Sequence, residues 1–422
     1  ARQLELHDLA TISAKTTGSG EAGAILLKVG QLLMLGGAQI SSASALSTLQ
    51  IPATGRAGTV TIEGLASPAD VVAVTDSAIL TSAAGTGAGG NITVSSQAVQ
   101  LTNETISATA NAGNAGGVTV QDATAITAVG SRVTTESSTG RGGTISLSAS
   151  DTISLSNTTV SARVTGGSQA GGNITMAAGQ SLIINQGTVI SAQSLGTGDA
   201  GSITLDAGAR YLSADSTVTT EATQASGGNI ELTAAELIQL QESAITTSVF
   251  GGPNTIGGDI RIDPQFITMR NSRIIAQAVQ GQGGNIIIQS GVFLADPNSI
   301  VDASSQLGIN GSVDIRSPVQ NLGAAKRPLS AQYLQGNTLL SQRCAAARSG
   351  QLSSFVVLGR DGVPPEPGGY TAGSLTAELA RLALESLPPQ TTPATQLSRL
   401  GFDPTDPFSG LVSLDLFATC KA

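Results

Sequence analysis

Gly143-Thr-Ile-Ser-Leu-Ser-Ala-Ser-Asp-Thr-Ile-Ser-Leu-Ser-Asn-Thr-Thr-Val-Ser-Ala162 is the stretch from which the fold can be read. Apolar and polar residues alternate around Ile145/Leu147, again around Ile153/Leu155, and again at Thr159-Val-Ser-Ala162. That period of two is the signature of a strand with one buried face, and three such strands separated by small polar residues describe one coil of a parallel β-helix. The stretch is not alone. Its opening recurs as Gly58-Thr-Val-Thr-Ile, Gly90-Asn-Ile-Thr-Val, Gly116-Gly-Val-Thr-Val, Gly172-Asn-Ile-Thr-Met, Gly201-Ser-Ile-Thr-Leu, Gly228-Asn-Ile-Glu-Leu, Gly258-Asp-Ile-Arg-Ile, Gly284-Asn-Ile-Ile-Ile and Gly311-Ser-Val-Asp-Ile. With Gly23-Ala-Ile-Leu-Leu as a degenerate first copy there are 11 copies, spaced by 35, 32, 26, 27, 29, 29, 27, 30, 26 and 27 residues. Third-strand text also recurs, as Thr105-Ile-Ser-Ala108 and Val189-Ile-Ser-Ala192.

A single coil cannot bury its own apolar face, but stacked coils align their inward Ile, Val and Leu into one column and pair their backbones along the axis. At about 4.8 Å per coil, the copies predict a rod of roughly 50 Å, right-handed as parallel crossovers are. The fold class expected for residues 1–317 is therefore an all-β, right-handed parallel β-helix of about 11 coils. The corner glycines answer either to positive φ or to close backbone approach. Asn91, Asn173, Asn229 and Asn285 share the next corner position, where a side-chain amide serves turn backbone groups or, in the sharper reading, a ligand. Asn91-Ile-Thr93 and Asn173-Ile-Thr175 match the glycosylation sequon, a match the corner pattern generates by itself.

Composition agrees with stacked strands. Of 422 residues 52 are Gly, none is Trp, and aromatics make up 2% against 40% apolar, so the core is aliphatic. The formal net charge of -9 argues against binding nucleic acid through a basic face. Glycine follows no three-residue period, which excludes collagen, and no run of about 18 apolar residues offers a membrane span. The opening Ala1-Arg2-Gln3-Leu4-Glu5 leads into no apolar signal segment, so an exported protein with this sequence is expected to be a processed or trimmed chain.

From Pro318 onward the repeat stops, and 10 of the 15 prolines and 6 of the 10 Phe and Tyr lie there. Residues 318–422 are expected to form an irregular tail. Ser374 to Leu387 reads as a short amphipathic α-helix with Leu375, Leu379, Leu382 and Ala383 on one face, stopped by Pro388-Pro389. Its roles divide between a cap on the rod's open end and a partner-binding or cell-anchoring segment, with Leu411 to Phe417 as an added strand. Cys344 and Cys420 both fall in the tail; in an exported protein they read as one disulfide. Neither has a CxxC neighbour and the sole histidine is His7, so no metal site or other cofactor is expected.

The Gly-Gly-Asn-Ile coils, together with Cys344 and Ser353-Ser-Phe-Val-Val-Leu-Gly-Arg-Asp-Gly-Val-Pro-Pro-Glu-Pro367, resemble the C-terminal part of filamentous-haemagglutinin-like exoproteins, particularly large cyanobacterial ones. The repeats carry the resemblance over about three quarters of the chain; the tail motif departs from the family's Gly-Arg-Gly-Gly-Leu-Pro-Pro form at Asp361 and Val363. The resemblance implies export by two-partner secretion through an outer-membrane β-barrel transporter and an extracellular or cell-surface location. Because the family's N-terminal secretion domain is missing here, it also implies a fragment of a longer precursor.

β-Helices also carry polysaccharide lyases and glycoside hydrolases, so the outward columns bear on chemistry. Three residues after the corner glycine stand Thr61, Thr93, Thr119, Ser146, Thr175 and Thr204 on successive coils. Such a stripe presents hydroxyls to ice or to a glycan, or is simply β-branched residues suiting an exposed strand. Two residues further on, the column is chemically mixed and holds Asp206 and Asp263, two coils and hence about 9.6 Å apart. An inverting glycosidase separates its carboxyls by about 6.5–9.5 Å. Glu231 and Arg261 on adjacent coils read as a cross-strand ion pair, and the first aromatic, Tyr211, lies beyond the early coils that would need a sugar platform. No G-x-S-x-G turn supports a triad with His7.

The sequence thus predicts a secreted, non-enzymatic structural or adhesive rod, with a carbohydrate-active enzyme as the alternative. If the Gly23 copy starts the rod, inward Ile25 and Leu27 need a cover, which predicts head-to-tail homo-oligomers or filaments. Further expected partners are the transporter and a glycan or cell-surface receptor.

Overall fold

The computed structural model describes residues 1–320 apart from 48 and 50, and every regular element among them is a β-strand. Equivalent strands of successive coils pair in parallel and in register. In the Gly143 coil, Ile145 lies beside Ile174, Thr152 beside Ser181, and Thr159 beside Val189. First and second strands build an 18-stranded sheet and third strands an 11-stranded sheet, which together wall a right-handed parallel β-helix. The tail expected over 318–422 lies outside the described residues from 321 on, and with it the helix expected at Ser374–Leu387.

The rod has about 12 turns, one more than the glycine copies count. Strands Gln3–Leu6 and Thr11–Thr16 precede the Gly23 copy and pair with Gln31–Met34 and Gln39–Ser44. The first described turn is therefore not the Gly23 copy, and Ile25 is already 8% exposed with Leu27 half-buried.

Alternation sorts the side chains. Ile145, Leu147, Ile153, Leu155, Val160 and Ala162 of one coil all point inward with at most 3% exposure. Above and below them Val118, Ile174, Ile203 and Ile230 continue the Ile145 column at 0–1%. Each fully buried aliphatic side chain contributes about 1.5–3 kcal/mol, and stacking makes that burial continuous along the rod.

Three strands per coil is the general arrangement, but in five coils the first two fuse: Ile92–Thr102, Val118–Val129, Ile145–Ser156, Ile230–Gln241 and Ile260–Arg270. The bend survives as a register shift, between Val120 and Ala125 and between Ala234 and Leu237. Such bulges bend a strand without ending it, the first of them through Asp122 at φ 62°. Pro264 sits in one, opposite Ala234, where the ladder is already interrupted and its missing N–H costs little.

The corner glycines are required by proximity and not by φ. None of the ten from Gly58 to Gly311 has positive φ, yet a Cβ on Gly143 would strike the carbonyl oxygen of Gly116, and one on Gly172 that of Gly143. The same clash with the preceding coil's glycine repeats at each of the ten. Positive φ belongs instead to the turn between second and third strands, at Asp76, Asn103, Gly130, Asn157, Gln186, Asp215, Glu242 and Asn271, with φ from 47° to 61°. Asn, Asp and Gly dominate there because they enter the left-handed region most cheaply. In several coils a buried third-strand threonine donates to a corner glycine's carbonyl, as Thr135 does to Gly143 at 2.9 Å and Thr220 to Gly228 at 2.6 Å.

Candidate functional site

In-register stacking places Thr61, Thr93, Thr119, Ser146, Thr175 and Thr204 in one outward column along the first strands. Exposed or half-exposed, none of the six hydroxyls is engaged by another described side chain. The column is bounded by Leu26, 56% exposed, on one side and continues into Glu231 and Arg261 on the other. Glu231 and Arg261 lie beside each other in register but do not form an ion pair; among the described residues the pairs on these columns are Lys28–Glu63 at 3.0 Å and Arg316–Asp314 at 2.7 Å. The expected Glu231–Arg261 bridge is thus absent, because in-register backbones alone do not bring two long side chains together.

The corner asparagines are tied to the rod. Asn91 Oδ1 accepts the backbone N–H of Gly117 at 2.8 Å, Asn173 that of Ser202 at 2.9 Å, and Asn229 that of Asp259 at 2.9 Å. Asn285 accepts from the N–H and hydroxyl of Ser312 at 3.2 and 2.8 Å, and its own N–H and Nδ2 donate to Asp259. Each side-chain carbonyl therefore satisfies a donor one coil along, which is the structural half of the reading drawn from sequence.

Asp206 and Asp263 share an outward column with Thr233 between them, so their rungs are about 9.6 Å apart. They flank a shallow depression of about 470 Å³ whose floor is Ala234 and Pro264 and whose rim includes Gly208 and Gln265. At its edge the N–H of Gly208, at φ 59°, donates to Asp206 Oδ1 at 3.1 Å, and the register shift of the fused strands follows directly after the Ala234–Pro264 pair. Tyr211 is no sugar platform. Its ring is fully buried between Leu182 and Ile238, and burial pushes its phenol above the ordinary range. The exposed aromatic nearest in sequence to the depression is Phe266, 44% exposed and three residues from Asp263. Sequence reading passed over it, although a Phe three residues beyond Asp263 carried the signal.

Other ionisable groups serve the scaffold. Asp296 is held below the usual carboxylate range by the Ser299 hydroxyl and by the N–H of Asn271. His7 pairs with Glu5 at 3.0 Å on the surface, and no cluster of metal-ligating side chains occurs among the described residues. Cys344 and Cys420, with the disulfide expected of them, lie outside the described residues. Comparison of the chain with family models, with curated proteins and with solved structures finds no match.

Proposed function

We propose that the protein is an exported, non-enzymatic rod that serves as a structural or adhesive element at a cell surface or in an extracellular matrix. The observation that carries this reading is the in-register hydroxyl column from Thr61 to Thr204, together with the asparagine corners that bind coil to coil. Such a surface repeats the same groups every rung, about 4.8 Å apart, and repetition suits many weak contacts in parallel. A catalytic centre needs the opposite, a local convergence of unlike groups around one reacting atom. The net charge of -9 favours partners other than nucleic acid, such as a glycan or a cell-surface receptor. Passage through an outer-membrane transporter and end-to-end homo-association belong to the same proposal, and fibres in electron micrographs of concentrated protein are the result expected for the latter.

One departure from the repeat favours a second reading, a glycoside hydrolase or polysaccharide lyase centred on Asp206 and Asp263 with Phe266 at hand. Their backbone spacing of about 9.6 Å lies just beyond the carboxyl separation of about 6.5–9.5 Å of inverting enzymes. Incubation of the protein with a panel of acidic and neutral polysaccharides, reading new reducing ends and unsaturated uronates, separates the two. The rod reading expects no product from the parent, from Asp206→Asn or from Asp263→Asn; product from the parent that either substitution abolishes would establish the enzyme.

A further inference from the structure

At the turn between second and third strands, just after the left-handed residue where there is one, the coils from Ser77 on point one polar side chain inward. From coil to coil these are Ser77, Glu104, Ser131, Thr158, Thr188, Ser216, Ser243, Ser272 and Ser299, all buried at 0–7% exposure. The eight hydroxyls form a ladder. Ser131 donates to the carbonyl of Val129 at 3.0 Å while accepting the N–H of Glu104 at 3.2 Å. Ser272 donates to Arg270 at 2.8 Å and accepts from the N–H of Ser243 at 3.2 Å, and Ser299 accepts in turn from Ser272 at 3.1 Å. Every one of these hydroxyls donates, and Ser131, Thr188, Ser272 and Ser299 also accept a backbone N–H from the coil before, which suits a position with a carbonyl on one side and an amide on the other.

Glu104 breaks the ladder. It is 1% exposed, neither carboxyl oxygen has a hydrogen-bond partner, and it is the one buried Asp, Glu, Lys or Arg among the described residues. Desolvation pushes its pKa to about 9 and outweighs the nearby backbone amides of Thr105, Ser77 and Ile79. The third strands on its own and the adjoining coils begin their inward faces with Ile79, Ile106 and Val133, and bury no charged side chain. Its charged neighbours along the corner are Asp76 one coil back, which accepts from Asn103 Nδ2 at 3.0 Å, and Arg132 one coil on; both face solvent and are opposite in sign.

We propose that Glu104 is a proton-held latch: neutral, it lets its coil close between Ser77 and Ser131, and ionised at alkaline pH it opens that coil while the hydroxyl-bearing coils stay shut. The sign follows from linkage. A carboxyl with a raised folded-state pKa contributes fully below its unfolded value of 4.5, and that contribution is lost as pH rises toward 9. In a solenoid each coil contacts only its neighbours, so the loss is local.

Amide hydrogen exchange on the full chain, compared at each pH with Glu104→Gln, tests this. For amides of Ile92–Thr102, Thr105–Ala110 and Arg132–Ser137, the parent's exchange relative to the variant's is expected to rise between pH 5 and pH 9, by up to about tenfold per unit. Strands Thr217–Ala222 and Ala244–Val249 are expected to exchange alike in both proteins. A ratio that stays constant with pH, or that rises equally in those distant strands, would overturn the latch. Glu104→Ser, which restores the ladder residue, provides the same comparison with a second fold-compatible side chain.

Discussion

Two of the corners in the glycine-marked coils tolerate opposite things. Before the first strand the backbone runs at ordinary φ but presses so closely on the coil below that no Cβ fits, as at Gly143 over Gly116. Between the second and third strands there is room for a side chain, but the backbone is left-handed, as at Asn157 with φ 47°. One corner selects glycine by space and the other selects Asn, Asp or Gly by angle. Glycine-rich text in a solenoid therefore need not mean strained backbone, and the strained positions need not be glycine.

The sharpest way to break this contrast is at the crowded corner. Gly143→Ala must displace the Gly116 carbonyl, a backbone atom held in a ladder, so a loss of about 3 kcal/mol in denaturant-measured stability is expected. Little or no loss would mean the two coils are not in the contact described. The open corner sharpens the contrast from the other side. Asn157→Ala is expected to cost about 1 kcal/mol, because alanine enters the left-handed region less readily than asparagine. Asn157→Gly is expected to change stability by no more than a few tenths. If the glycine variant were as unstable as the alanine variant, the effect would come from the lost amide and not from the angle.

Much of the coil was legible because periodicity and spacing are written in residue types: the alternation around Ile145 and Ile153, the glycine every 26 to 35 residues, and the outward column from Thr61 to Thr204. The extra turn escaped because it has no glycine marker, although Thr11-Ile-Ser-Ala14 spells the same third strand as Thr105-Ile-Ser-Ala108. The reason for each corner glycine was left open between angle and proximity, since both demands select the same residue. Fusion of first and second strands was hidden because its bulges have no common residue: the one at Ala123 includes left-handed Asp122 and the one after Ala234 has no residue of positive φ. Of the candidate site, the rung relation of Asp206 to Asp263 was readable by counting coils. The inward turn of Tyr211 and the buried place of Glu104 were not, because each depends on which neighbours a strand meets one coil away.

Paired spin labels report whether successive copies are equivalent rungs of one stack. With Cys344 and Cys420 replaced by serine, labels are attached to cysteines introduced in pairs at Thr61 with Thr204 and at Thr61 with Asp314. These pairs are five and nine rungs apart by the observed register. At about 4.8 Å per rung, separations near 24 Å and 43 Å are expected, proportional to rung number. Separations that fail to grow with rung number, as antiparallel pairing or separate globules would produce, would contradict it.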